Sequence, residues 1–197
     1  MAEERKSDRR VAYTKRVLRE ALIKLMGNQH ISEITITSIC ELADINRSTF
    51  YLHYRDQYDL LHQIVAEVLR DIRARIVVNQ EELDEEAAWR PVTSEMMIAI
   101  LEYTKENHKL AQVLFSDNCD FSFPQLILEL VKEQVPFPES PLDQRTIDII
   151  MSHAINGGID LVSRWVSEGM TEDPAVLADL ILKLAYSGTT SFSLEED

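Results

Sequence analysis

Turn-forming residues are scarce in this chain, with five glycines and six prolines among 197 residues. Barrels and sandwiches reverse direction every few residues and need more chain-breaking positions than that, so the scarcity excludes most all-β architectures. Cysteine is rarer still. Cys40 and Cys119 stand far apart with no CxxC pairing, which excludes a disulfide framework. The five histidines, His30, His53, His62, His108 and His153, include no HxxxH or Cys-His spacing, so no metal and no cofactor is expected. Long apolar runs are missing too: charges interrupt every segment well short of the roughly 18 residues of a membrane span. The opening MAEERKSDRR lacks the apolar core of a signal peptide. The expectation is a cytoplasmic protein with reduced thiols and no membrane partner. No set of nucleophile, base and orienting group stands out, so an enzyme is not expected.

What remains is apolar and strongly charged. Hydrophobic residues make up 45% of the chain, enough for a sizeable core, and the formal net charge is −14. That average hides an asymmetry. Residues 1–60 hold 10 Lys+Arg against 9 Asp+Glu, whereas residues 61–197 hold 10 against 25. Basic residues crowd positions 1–24, where Arg5, Lys6, Arg9, Arg10, Lys15, Arg16, Arg19 and Lys24 follow one another closely. An acidic body behind a basic head repels nucleic acid everywhere except at the head, which favours one binding orientation.

Apolar spacing of three and four predicts a helix from Asp8 to Met26, with Val11, Val17, Leu18, Ala21, Leu22, Leu25 and Met26 as its stripe and Gly27-Asn28 as its stop. Thr35 is placed to cap a short helix with Ile36, Ile39, Cys40 and Ala43 inside. Asp44-Ile45-Asn46 then breaks the chain, and Asn46 caps a second short helix from Arg47 to about Tyr54. Phe50 and Tyr54 face inward there with Ile45, leaving Arg47, Ser48, Thr49, Tyr51, Leu52 and His53 wholly or partly outside. Asp56 caps a longer helix reaching about Val78. The segment 79–91, with five acids in the six positions Glu81–Glu86 and Pro91 at its end, reads as a charged helix end and linker. Further helices are expected at 93–106, 109–115 and from Pro124 to Val135. Pro136, Pro138 and Pro141 mark a loop, after which helices follow over 143–168 and from Pro174. Gly157-Gly158 inside the penultimate helix suggests a close helix approach.

Two short helices joined by a tight turn, the second presenting Arg, Ser, Thr, Tyr and His outward, form what a helix-turn-helix reader of the major groove requires. The segment TITSICELADINRSTFYLHYRDQYDLL, residues 35–61, resembles the DNA-binding signature of the TetR family of transcriptional regulators. The likeness includes Thr35, Ile39, Ala43, Asn46, the run Thr49-Phe50-Tyr51, His53-Tyr54 and Leu60. ILEYTKENHKLAQVLFSDN, residues 100–118, is similar to the C-terminal domain of a subgroup common in Gram-positive bacteria.

The resemblance implies an all-α protein. Residues 1–56 form a three-helix DNA-binding domain, and residues 57–197 form a helical effector-binding and dimerisation domain. It implies a double-stranded DNA operator as partner, a homodimer, and an unknown small-molecule effector that releases a repressor from a pseudo-palindromic site. By family position Tyr51 and His53 meet phosphates, Thr37 can reach another, and Arg47, Ser48 and Thr49 are placed for bases or the adjacent backbone, with Leu52 also counted among the DNA-binding residues. Gln57 stands where the family carries a phosphate-binding Lys, which weakens that contact. Asp44 replaces a turn glycine, and Asp tolerates the left-handed conformation better than most residues. A second reading keeps the ancestry but makes the chain a coactivator or adaptor acting through protein contacts, with Gln57 and the acidic C-terminal part in its favour.

Residues 143–168 and 173–187 are apolar over more of their circumference than one intramolecular face can bury, so they are expected to form a four-helix dimer interface. An effector cavity is expected from Met96, Met97, Ile100, Tyr103, Leu114, Phe115, Leu126 and Trp165, with His153 and Asn156 as polar anchors. An uncharged, partly apolar molecule suits such a lining. The competing reading is that these side chains are ordinary core.

Overall fold

The computed structural model describes residues 2–77, 92–135 and 141–187, with side chains defined from residue 9 and, in the fourth helix, up to residue 76. Nine α-helices and no strands occur among the described residues. They are α1 (Ala2–Met26), α2 (Ile36–Ala43), α3 (Arg47–Tyr51), α4 (Gln57–Val77), α5 (Ser94–Glu106), α6 (His108–Leu114), α7 (Phe123–Gln134), α8 (Gln144–Ser167) and α9 (Pro174–Ser187), with a 3-10 turn over Ile31–Glu33. The all-α architecture read from the sequence holds. The run Glu81–Glu86, Pro136, Pro138 and the C-terminal SLEED, expected as linker, loop and tail, lie outside the described residues.

The chain divides into two compact units at positions other than 56/57. The first comprises Met1–Val68 together with Gln112–Phe121, and the second comprises Leu69–Ala111 and Ser122–Asp197. The early turns of α4 join the first unit because Leu60, Leu61, Ile64 and Val65 are buried there and Glu67 accepts an ion pair from Arg19 of α1 at 2.7 Å.

Local signals set the first unit. Thr35 Oγ1 accepts the Ser38 N–H at 3.1 Å while Ser38 Oγ accepts the Thr35 N–H at 3.2 Å, a reciprocal cap that uses Ser in place of the commoner Glu or Gln. Asp44 closes α2 in the left-handed region, φ 54 and ψ 44, and lets the Ile45 N–H reach Cys40 O at 3.0 Å. Asn46 Oδ1 then accepts the Ser48 N–H at 2.9 Å and opens α3. Leu18, Leu22 and Met26 of α1, Ile31, Ile34, Ile39 and Phe50 are sealed from solvent behind these caps. Val11, expected on the buried stripe, is 38% exposed, because the apolar spacing of α1 becomes regular only from Val17.

The returning segment 112–121 closes this unit from the side. The Asn118 amide donates to Met26 O at 2.7 Å, and its own carbonyl accepts the Ile31 N–H at 3.0 Å. One residue thereby satisfies both the last carbonyl of α1 and the first donor of the 3-10 turn. His30 lies 3.4 Å from Asp120, and Phe121 packs its ring against His62 at a 6.2 Å centroid separation.

In the second unit α9 packs against both α5 and α8, and α7 packs against α8. Gly158 marks the α8 to α9 approach, where an added Cβ would stand 3.3 Å from Ile181 Cγ2, while Gly157 faces open space. The turn between α8 and α9 is locked by Trp165. Its indole N–H donates to Glu172 O at 3.2 Å and its carbonyl accepts the Met170 N–H at 2.8 Å, across Gly169 at φ 90 and Met170 at φ 57.

Two substitutions test these closures by urea denaturation. Asn118→Ala orphans Met26 O and is expected to lower stability by about 1–2 kcal/mol. Asp44→Gly relieves the left-handed strain and is expected to raise stability by about 0.5–1 kcal/mol, the opposite sign from any core truncation.

Candidate nucleic-acid interface

Helix α3 is short, and its orientation is set from behind. Phe50 is fully buried and Tyr54 nearly so, their rings 5.6 Å apart at the centroids, and Tyr51 sets its ring edge against Phe50 at 5.8 Å. With that pole of the helix anchored, the opposite pole must face out. Arg47, Ser48, Tyr51 and Leu52 are exposed, and Thr49 and His53 are half-buried beside them. The structure therefore brings the six residues of the expected reading surface onto or beside one face. Thr37 sits half-buried in the first turn of α2 and Gln57 half-buried at the start of α4.

Charge around this face is unevenly distributed. Arg47 supplies a positive field that reaches Cys40 and pulls its thiol pKa down, although burial is the larger influence and leaves it raised. At the start of α4 the situation reverses. Asp56 accepts the Asp59 N–H at 2.8 Å, and Asp59 accepts the Arg55 N–H at 2.9 Å. The Arg55 N–H, with the Gln63 amide next, holds the Asp59 carboxyl below its ordinary range. Two carboxylates thus occupy the positive end of α4, and the side chain there is the neutral Gln57. Gln57 can offer a phosphate only a hydrogen bond.

On α1, Arg9, Arg10 and Lys15 are exposed. Arg16 stacks over Tyr13 at 5.3 Å and pairs with Glu20 at 2.8 Å, and Arg19 is committed to Glu67. The side chains of Arg5 and Lys6 lie outside the described residues.

The residues expected to line an effector cavity fall in both units. Leu114 and Phe115 belong to the first unit, with the segment that braces α1. Met96, Met97, Ile100 and Tyr103 lie on α5 and Leu126 on α7, all in the second unit. Met96 is fully buried, and the Tyr103 hydroxyl donates to Asp71 Oδ2 at 3.1 Å while Arg75 covers its ring at 4.2 Å. Trp165 is buried with its N–H satisfied, as a packing residue would be. His153 and Asn156, expected as inner anchors, are instead exposed on α8. They share a helical stripe with Ile149 and Gly157, and α7 and α9 cover other stripes of that helix.

Sequence reasoning missed the bracing role of Asn118, Asp120 and Phe121. The Tyr58 hydroxyl also donates to Asp120, and its pKa is raised, by desolvation first and then by the Asp120 charge. No local pattern marks these residues, since their partners lie far back in the sequence. Among the described residues no group of His, Cys, Asp or Glu has the geometry of a metal site, and no helix is long and apolar enough to cross a membrane.

Comparison with known proteins places this geometry. A TetR-type family model, described as a transcriptional regulator C-terminal region, matches residues 93–187. An uncharacterized HTH-type transcriptional regulator, YxbF of Bacillus subtilis (strain 168), is 28% identical over 186 residues, covering 89% of this chain and 45% of its own length. The chain thus spans about half the length of that curated relative. The TetR transcriptional regulator from Streptococcus agalactiae 2603V shares the fold at a TM-score of 0.64 and 20% identity, over 93% of this chain and 99% of that one. The transcriptional regulator FadR from Bacillus subtilis, solved in complex with stearoyl-CoA, shares it at 0.61 and 17%, over 87% and 97%. A helix-turn-helix head with this residue order, joined to a C-terminal region matched by that model, makes the chain similar to transcriptional regulators of the TetR type.

Proposed function

We propose that this protein is a cytoplasmic, dimeric, ligand-responsive repressor that binds a pseudo-palindromic operator by inserting α3 into the major groove. The observation that carries the reading is the outward pole of α3, where Arg47, Ser48, Tyr51 and Leu52 are exposed opposite the fully buried Phe50. Tyr51 and His53 hold the phosphate backbone, Arg47, Ser48 and Thr49 face bases, and Thr37 reaches a flanking phosphate. Gln57 adds a neutral hydrogen bond, so affinity depends more on α1 and α3 than on the start of α4.

Dimerisation uses α8 and α9. Ile149 is 61% exposed, Ile150 42% and Val176 63%, an apolar surface that a monomer leaves in water. A second copy presenting the same faces covers it with two-fold symmetry and sets two reading heads at half-sites one or more helical turns apart. An effector reaches the second unit through apolar side chains that packing leaves half-covered, Met97 and Ile100 on α5 and Leu126 on α7. These suit a largely apolar small molecule, and the related FadR was solved with stearoyl-CoA. A protein-binding coactivator is the second reading, favoured by the two carboxylates at the start of α4 and the acidic C-terminal part.

A mobility-shift titration on the DNA upstream of the protein's own gene, repeated at several salt concentrations, separates the two. Specific retardation whose affinity falls with salt is expected, and its absence would favour the coactivator. Tyr51→Phe and His53→Ala should weaken binding to every sequence alike, whereas Arg47→Ala should alter preference at one base pair by about 1–3 kcal/mol. Sedimentation at micromolar concentration should give a dimer for the native chain and a monomer for the pair Ile149→Glu and Val176→Glu. In a thermal-shift assay neutral apolar compounds should stabilise the native chain, and Met97→Trp should abolish that stabilisation.

A further inference from the structure

Leu52 is the most exposed large apolar side chain among the described residues, at 79%, and it sits in the middle of a polar reading surface. Its direction is fixed. The backbone at Leu52 keeps helical dihedrals, φ −72 and ψ −20, and its N–H still donates to Thr49 O at 3.3 Å. Two residues after Phe50 in a helix is about 200° round the axis, so Leu52 points nearly opposite the anchored ring. Its neighbours one turn back are Ser48 and Thr49, and Tyr51 and His53 flank it in the chain.

Those neighbours can serve phosphates and polar base edges, and Leu52 can serve neither. A branched aliphatic side chain held in water gains nothing from the monomer fold, and it gains only where an apolar group meets it. Of the groups that base pairs present in the major groove, one is apolar, the C5-methyl of thymine. We propose that Leu52 is a specificity-determining residue that packs on a thymine methyl in each half-site and selects T·A over C·G at that position. This rests on the reading of α3 as the groove-entering helix and adds the base that one of its side chains reads. Cytosine offers a hydrogen at the same ring position and an exocyclic amine that Leu52 would leave without a partner, so the discrimination combines lost contact with lost hydrogen bonding.

The test isolates the methyl. A randomised duplex library is enriched by mobility shift with the native full chain, and the best site is resynthesised with uracil replacing thymine at one position at a time. Uracil keeps the base pair and removes only the methyl group. At one thymine per half-site the replacement should weaken native binding about fourfold, and about fifteenfold when made in both half-sites. Leu52→Ala should lose a similar factor on the thymine site and show no further loss with uracil, while Leu52→Met should stay sensitive. All variants should melt at the native temperature, because this side chain is not part of the core. Equal native binding to thymine and uracil sites at every position overturns the proposal, and so does a uracil penalty that persists undiminished in Leu52→Ala. If the native chain enriches no sequence at all, the DNA-binding reading itself falls and the role of Leu52 with it, an outcome distinct from the other two.

Discussion

A helix of five residues makes too few internal hydrogen bonds to hold its shape in water, so α3 exists because Phe50 is buried. That ring is fully buried beside Tyr54, where α3 packs against α2. Its removal from solvent is the constraint from which the outward pole of the helix follows: once the inner pole is anchored, Arg47, Ser48, Tyr51 and Leu52 have nowhere else to point. The caps refine this arrangement. The left-handed turn at Asp44 fixes the angle at which α3 leaves α2, and Asn46 restarts the helix within two residues. A phosphate-and-base reader needs side chains held rigidly, and a buried aromatic beneath a short helix supplies that at small cost in chain length.

The same head is braced by chain that comes from much later in the sequence. Asn118 joins the end of α1 to the 3-10 turn, and Asp120 meets both His30 and Tyr58. All of these contacts are polar or part-exposed. They act on the end of α1, the 3-10 turn before α2 and the start of α4.

Electrostatics divides the labour within the reading surface. Positive charge is carried by α1, by Arg47 and by the exposed Arg55 just before α4, whereas the first turn of α4 holds Asp56 and Asp59 against backbone donors and adds the neutral Gln57. Residues 61–197 are by contrast strongly acidic.

Much of the head was legible in the sequence because its determinants are local. Capping by Thr35 and Asn46, the Asp44 turn and the inward pair Phe50 and Tyr54 each depend on residues within a turn or two, and the helix bounds fell within three residues of those observed except at the start of α1, which begins at Ala2 and not Asp8. The second unit was legible as helices but not as surfaces. On α8 more than one stripe is apolar or small, and periodicity alone cannot say which of them α7 and α9 cover, so His153 and Asn156 were expected inside and lie outside. The sequence by itself determined the helices, their caps, the outward face of α3 and the separation of charge, since each follows from neighbours along one helix. Only the tertiary structure decided that residues 112–121 belong with the first unit and that Trp165 closes a turn. Contacts between residues remote in sequence leave no periodic trace and are selected by the packing of the whole unit.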